Sequence, residues 1–161
     1  MILIVMGVAG AGKTTVGRLL STTLAWPYFD ADDFHDASSI EKMGRGIALT
    51  DKDRLPWLQN IRRKIEELIQ QNQPAVISCS ALKKSYRKLL RENTDKVVFV
   101  FLKGDYDLMK TRLRERPEHF MKADMLASQF DTLEEPEDAI TVDASLPPDE
   151  IVKHVRQNLR I

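Results

Sequence analysis

The chain has 161 residues, 43% of them hydrophobic and 30% charged, which suits a single globular domain with a core of its own. Its 24 Lys and Arg balance 24 Asp and Glu. Zero net charge disfavours a general nucleic-acid coat protein, which needs a broad positive excess, but leaves room for a local phosphate site. The lone cysteine, Cys79, excludes an internal disulfide and a multi-cysteine zinc site and points to a reducing, cytoplasmic setting.

Ile2-Leu3-Ile4-Val5-Met6 is a continuous apolar run, the pattern of a strand buried on both faces of a parallel sheet. It is too short to span a membrane and has no basic flank, so it reads as neither an anchor nor a signal peptide. After a glycine-rich turn, Val16, Leu19, Leu20 and Leu24 recur at helical spacing over 13–24. Pro27 breaks that pattern, and Tyr28-Phe29 begins a second strand that leads to Asp30 and Asp32. Three further strands are predicted at Ala75–Ile77, Val97–Leu102 and Ala139–Val142. Helical patterns cover about 55–72, 82–92, 105–115 and 148–159. Asp105 is placed to cap the third of these, and Pro147-Pro148 before Asp149-Glu150 opens the last. Strands alternating with helices predict an α/β fold, a five-stranded parallel sheet with helices on both faces. No linker or repeat divides it. The stretches 33–54 and 112–135 exceed ordinary loops and are expected to form the acceptor-binding segment and a mobile lid.

Gly7-Val8-Ala9-Gly10-Ala11-Gly12-Lys13-Thr14, followed by Thr15, matches G-x-x-x-x-G-K-[ST] between a buried strand and an amphipathic helix. Glycines let successive backbone N–H groups face one anion, and the helix N-terminus adds partial positive charge. Lys13 is assigned to the β/γ-phosphates and the Thr14 hydroxyl to Mg²⁺, so the chain is expected to bind ATP. A switch GTPase would carry N-K-x-D. Asn93-Thr94-Asp95-Lys96 has the letters in the wrong order and reads as a turn. The strand at 75–77 runs into Ser78-Cys79-Ser80 without an acid, so the acids serving metal and nucleophile are sought at the end of the second strand, in Asp30-Ala31-Asp32-Asp33. Alternating on an extended chain, Asp30 and Asp32 would point the same way, one toward a metal-bound water and one toward an attacking hydroxyl. The alternative is that one merely caps the next segment.

Between His35 and Leu58 lie His35, Lys42, Arg45, Asp51, Asp53 and Arg54, a set suited to an anionic, hydroxyl-rich acceptor. Arg45, flanked by Gly44 and Gly46, is the candidate for a two-point contact with a carboxylate. Asp51 is a candidate helix cap, and Trp57 reads as core ahead of a sugar-stacking platform. Ser80 is expected to cap the next helix and Lys83 to face the cleft, with Cys79 a small buried residue. Arg112 and Arg116 share a helix face and are assigned to a lid over the transferring phosphoryl, the alternative being a salt-bridged solvent face with Glu115 and Glu118. His119 reads as structural.

Together these segments resemble the bacterial-type gluconokinases of the small P-loop kinase family. The resemblance rests on Gly7 to Thr14, Asp30-Ala31-Asp32-Asp33-Phe34-His35, Lys42-Met43 with Gly46, and Asp51-x-Asp53-Arg54-x-Pro56-Trp57-Leu58. It continues through Ser78 to Lys83 with Tyr86-Arg87, Arg116-x-x-His119-Phe120 and Ser128-Gln129-Phe130. It implies phosphorylation of D-gluconate by ATP to 6-phosphogluconate, feeding the pentose phosphate and Entner–Doudoroff routes. It also implies a nucleoside monophosphate kinase-like fold with a mobile lid, a cytoplasmic location and a homodimer, with no nucleic-acid or membrane partner. Under that reading the catalytic set is Lys13, Asp32, Arg112 and Arg116. The acceptor set is Asp32, His35, Arg45, Arg54 and Lys83, and Thr14 with Asp30 serve Mg²⁺. The competing readings are a shikimate or nucleoside monophosphate kinase on the same fold, and a non-catalytic nucleotide switch.

Overall fold

The structure, a computed structural model, describes residues 1–116 and 123–161. Pro117, Glu118, His119 and Phe120, within the expected lid, lie outside the described residues. Five strands, β1 (Ile2–Met6), β2 (Tyr28–Asp30), β3 (Ala75–Ser78), β4 (Val97–Lys103) and β5 (Ile140–Asp143), form one parallel sheet in the order β2-β3-β1-β4-β5. The helices are α1 (Lys13–Leu24), α2 (Ala37–Gly44), α3 (Asp51–Gln70), α4 (Lys84–Arg91), α5 (Tyr106–Arg114), α6 (Ala123–Thr132) and α7 (Pro148–Leu159).

Central β1 shows why its run is apolar throughout. Side chains alternate across a strand. Ile2, Ile4 and Met6 therefore enter one core with Trp57, Ile61 and Ile65 of α3 and Tyr86 and Leu90 of α4. Leu3 and Val5 enter a second core with Val16 and Leu20 of α1, Met109 of α5 and Ile151 and Val155 of α7. Helices thus cover both faces, and each fully buried Ile or Leu contributes about 1.5–3 kcal/mol. Edge strand β5 buries Val142 but exposes Thr141 and Asp143, and an edge with charge discourages pairing with another chain.

The register delivers the strands' carboxyl ends to one place. Ile2 pairs with Ala75 and Val5 with Ser78, while Asp30 pairs with Ser78 from the other side. The turn after β1, the segment after β3 and the acids after β2 therefore meet at one end of the sheet, where open parallel sheets bind ligands.

Several local expectations change. Helix α3 starts at Asp51, four residues before the predicted 55. Its cap is Thr50, not Asp51: the Thr50 hydroxyl accepts the Asp53 N–H and the Asp53 carboxylate accepts the Thr50 N–H, a reciprocal capping box. Helix α4 starts at Lys84, so Ser80 caps nothing, and the Lys84 N–H is satisfied by Glu134 from beyond α6. The 33–54 excursion is not a loop. It holds a 3-10 turn (Ala31–Phe34), helix α2 capped by Asp36, and the first turn of α3. Asp105 caps α5 through the Leu108 N–H as predicted, and Pro148 opens α7.

Helix α1 crosses the sheet closely at Gly17. A Cβ there would lie 2.6 Å from Ser78 Oγ and 2.9 Å from the Tyr28 ring. Gly17→Ala gains about 1 kcal/mol of helix propensity. The crowding costs more, and a net loss of about 1–2 kcal/mol is expected, read as a fall of about 2–8 °C in Tm. An unchanged or higher Tm would contradict this packing.

Candidate active site

The turn after β1 is held in its curled shape from several sides. Gly10 has φ +84°, and a Cβ there would meet the Met109 carbonyl oxygen at 3.0 Å, so both conformation and space demand glycine. Arg112 donates to the carbonyls of Gly10 (3.3 Å) and Ala11 (3.4 Å), and its other terminal nitrogen donates to Ala144 after β5. Ser78 Oγ donates to the Lys13 carbonyl at 2.8 Å, and Gln129 Oε1 of α6 accepts the Ala9 N–H at 2.7 Å. Helix α1 begins with no side-chain cap and no acid in its first turn. Its leading N–H groups and positive dipole end are thus offered to an anion. The Lys13 ammonium donates to the Gly7 and Val8 carbonyls at 2.9 and 3.0 Å. Burial pushes its pKa down, and the charges of Asp32 and Asp30 oppose that shift. Bound phosphate would favour the charged form in the same way.

Asp30 ends β2, and its carboxylate accepts the Asp32 N–H at 2.9 Å. Asp30 therefore caps the 3-10 turn, and Asp32 lies within that turn rather than on extended chain as expected. Both still line the cleft, because the turn folds back toward the phosphate loop. The turn is braced by Trp57, whose Nε1–H donates to the Ala31 carbonyl at 2.7 Å. Trp57 is 4% exposed, a core residue as predicted, yet its ring stacks on His35 (centroids 4.5 Å apart, planes at 10°) at the cleft wall. The His35 side chain is 6% accessible, its Nε2 lies 3.9 Å from Asp32, and its Nδ1 is buried without a protein partner. Burial holds its pKa below the ordinary value, so the ring is neutral at pH 7 and one nitrogen can accept while the other donates.

The cleft has a volume of about 470 Å³, enough for a small polar molecule. Lys13, Thr14, Asp30, Asp32, His35, Arg54 and Trp57 line it together, with Met43, Ile47 and Leu49 adding apolar surface. Arg54 donates one nitrogen to Tyr86 Oη at 3.0 Å, and Tyr86 Oη donates to Asp51. Asp51 also takes Lys83 Nζ at 2.8 and 2.9 Å. These bonds hold the Asp51 carboxyl below its ordinary range and steady the base of Arg54. A second cavity of about 340 Å³ lies beside the loop, lined by Thr15, Arg112, Arg116 and Ile151.

Some predicted site residues are not brought to the cleft. Arg45 stands just past α2 and is captured by Glu41 at 2.6 Å, one helical turn back, with 68% of its side chain exposed. Lys83 turns outward to Asp51. Arg112 grips the loop's carbonyls from behind, and Arg116 is exposed beside the second cavity. Lys42 ties α2 to α3 through Asp53 at 2.7 Å, a bond that takes the Asp53 carboxyl to about 2. Cys79 and Ser80 do line the cleft, and burial raises the Cys79 thiol to about 12, which removes it as a nucleophile.

Sequence reading left Ser128 and Gln129 without roles, although both line the cleft. It also passed over Arg87, which is 7% exposed and clamps the carbonyls of Ala81, Leu82 and Glu134. Gln129 bonds a residue 120 positions away, so no local signal marks it. The donor set suits magnesium: a hydroxyl from Thr14 and carboxylates from Asp30 and Asp32 are hard oxygen ligands.

The family model that matches is that of shikimate kinase, over residues 9–160. The thermosensitive gluconokinase of Escherichia coli (strain K12) is 39% identical over 158 residues, covering 96% of this chain and 84% of that one. The gluconokinase of Gluconobacter oxydans (strain 621H) is 41% identical, covering 94% and 89%. Among solved structures, a gluconokinase from Sinorhizobium meliloti 1021 superposes with a TM-score of 0.84 at 38% identity, covering 98% of this chain and 94% of that one. The shikimate kinase of Aquifex aeolicus vf5, at 18% identity and a TM-score of 0.61, shares the fold, with 99% and 96% covered.

The buried thiol gives a direct check on the cleft's inner wall. At pH 8 a group with a pKa near 12 is thiolate in roughly one molecule in 10⁴, against about a quarter for a free cysteine. An aromatic disulfide reagent should therefore label Cys79 rapidly in denaturant and only through unfolding in buffer. Rapid labelling of the native protein would contradict the packing described.

Proposed function

The chain belongs to the shikimate kinase family and, within it, to the gluconokinases, and we propose that it transfers the γ-phosphoryl group of ATP to D-gluconate, giving 6-phospho-D-gluconate. The observation that carries this reading is one cleft lined together by the phosphate loop, an acid-rich turn, His35 and Arg54. In that cleft the carboxylate of a linear six-carbon acid pairs with Arg54 and its terminal hydroxyl meets Asp32.

In this reading the triphosphate lies along Gly7 to Thr15, held by loop N–H groups and by Lys13, which turns from the Gly7 and Val8 carbonyls to the phosphates. The second cavity takes the base, between the loop and Arg112. Magnesium would be held by Thr14 and Asp30. Among the described residues no three His, Cys, Asp or Glu side chains converge on one point. That suits an ion carried mainly by phosphate oxygens and water. When bound, the ion offsets the charge of the phosphates.

The chain's own groups supply positioning and electrostatics. Asp32 accepts the proton of the attacking hydroxyl as the new O–P bond forms and the bond to the ADP oxygen breaks. His35 exchanges hydrogen bonds with a neighbouring hydroxyl. Arg54 pairs with the carboxylate through the guanidinium nitrogens not used on Tyr86, replacing Arg45 in that role. Arg116, beside the second cavity, adds positive charge near the bound nucleotide, while Arg112 keeps the loop in shape. Lid closure over 112–135 excludes water. The same reading makes the protein a cytoplasmic homodimer, and light scattering on the eluting protein checks the latter. No described helix is long and apolar enough to cross a membrane.

The product tests the reading. ATP and gluconate should give equimolar ADP and one phosphate ester, with its ³¹P signal coupled to two protons, as at a primary carbon. Coupling to one proton would place the phosphate elsewhere.

Two substitutions test the roles. Asp32→Asn should lower kcat by roughly 10²–10⁴-fold with substrate Kd values within a few-fold of the parent. A parent-like kcat would remove Asp32 from proton transfer. Arg54→Ala should raise the KM for gluconate about 10- to 100-fold, the worth of a hydrogen-bonded charge, with little change for ATP. Equal effects on both substrates would oppose this placement.

A further inference from the structure

One contact at the active site lies outside the roles assigned so far. The Gln129 side chain reaches from α6 to the phosphate loop, where its Oε1 accepts the Ala9 N–H at 2.7 Å. A backbone N–H only donates, so this bond fixes which end of the carboxamide faces the loop. The NH2 end must then face away from Ala9. Gln129 lines the cleft, and among the described residues its NH2 makes no hydrogen bond to protein. Two donors are thus presented beside the loop, in the cleft that Asp30 and Asp32 also line. Ser128 and Met125 of the same helix line the cleft with it.

We infer that Gln129 orients the acceptor: with its oxygen pinned by Ala9, its NH2 donates to a hydroxyl oxygen of the bound sugar acid next to the transferring phosphoryl group. The chemistry fits the partner. A neutral donor recognises a hydroxyl without adding charge, whereas a carboxylate calls for a cation such as Arg54 in the same cleft. The hydroxyls of a linear polyol acid need such donors, because Met43, Ile47 and Leu49 in the cleft lining offer none through their side chains. The bond also links α6 directly to the loop, so the acceptor hydroxyl and the phosphoryl group are referred to the same backbone atom.

The inference rests on gluconate being the acceptor, and the experiment separates the two. The parent is first assayed with gluconate. No turnover would remove both the acceptor assignment and this inference. With turnover established, kcat/KM is measured for gluconate and its mono-deoxy analogues in the parent, Gln129→Met and Gln129→Glu. Methionine keeps the length and loses donor and acceptor. Glutamate keeps an oxygen for the Ala9 N–H and loses the donor, so it covers the case in which methionine loosens the fold. In the parent, one analogue besides that lacking the reactive hydroxyl should lose roughly tenfold through the missing hydrogen bond. That penalty alone should vanish in both variants, while penalties for the other analogues persist. A role limited to bracing the loop would instead lower every kcat/KM by a common factor. Unchanged penalties in both variants would overturn the inference. So would a change confined to the KM for ATP, which would place the NH2 on a phosphoryl oxygen.

Discussion

Everything at this site depends on a backbone turn that the chain would not hold by itself. A loop whose N–H groups converge on one anion exposes its carbonyls on the outside, and each carbonyl needs a donor. Here Arg112 donates to Gly10 and Ala11, Ser78 Oγ donates to Lys13, and Lys13 donates to Gly7 and Val8. One inward N–H, that of Ala9, is held by Gln129. These partners come from β3, α5, α6 and the loop itself, so the loop's shape is a property of the assembled fold. The sheet register is the link that makes it possible: Val5 opposite Ser78 places that hydroxyl within reach of the start of α1. The absence of a Cβ at Gly17 lets α1 come close enough.

The acceptor wall is built on a different principle. The 3-10 turn and α2 bury little apolar surface, and Ile40, Met43 and Ile47 stay 56%, 40% and 48% exposed. Directional polar links fix them instead: Trp57 to the Ala31 carbonyl, Asn60 to the Phe34 carbonyl, and Lys42 to Asp53. Outside the cleft, Asp51 gathers Lys83 and Tyr86, and Tyr86 steadies Arg54. Lys83, expected to touch the acceptor, thus acts at one remove, through Asp51 and Tyr86 on Arg54, which lines the cleft. A wall fixed by a few directional bonds and little apolar burial opens at lower free-energy cost than the packed core.

The phosphate loop, the five strands, the Asp105 cap and the proline-led α7 were legible because each rests on local physics: apolar periodicity, glycine conformation and end-capping. The start of α3 was not: the helical pattern was read only from about 55, and the Thr50–Asp53 capping box that begins the helix lies a turn earlier. Missing α2 had a further consequence. Once 37–44 is helical, Glu41 and Arg45 sit one turn apart and pair, which takes Arg45 out of the cleft. Lys83 and Gln129 were beyond any local reading. Their partners are 32 and 120 residues away, and only the packed fold brings them together. The nature of the acceptor was carried by whole-chain resemblance, since one P-loop scaffold accommodates many acceptors.

Selection of a linear sugar acid over the ring acids and nucleotides phosphorylated on the same scaffold falls to Asp32, His35 and Arg54, which line one cleft. The most direct measurement is ADP release by the purified protein with ATP and Mg²⁺, offered gluconate, shikimate, AMP or no acceptor in parallel. Gluconate alone should raise ADP release well above the acceptor-free rate. Turnover driven by shikimate or AMP, or an ATPase rate indifferent to all three, would contradict it.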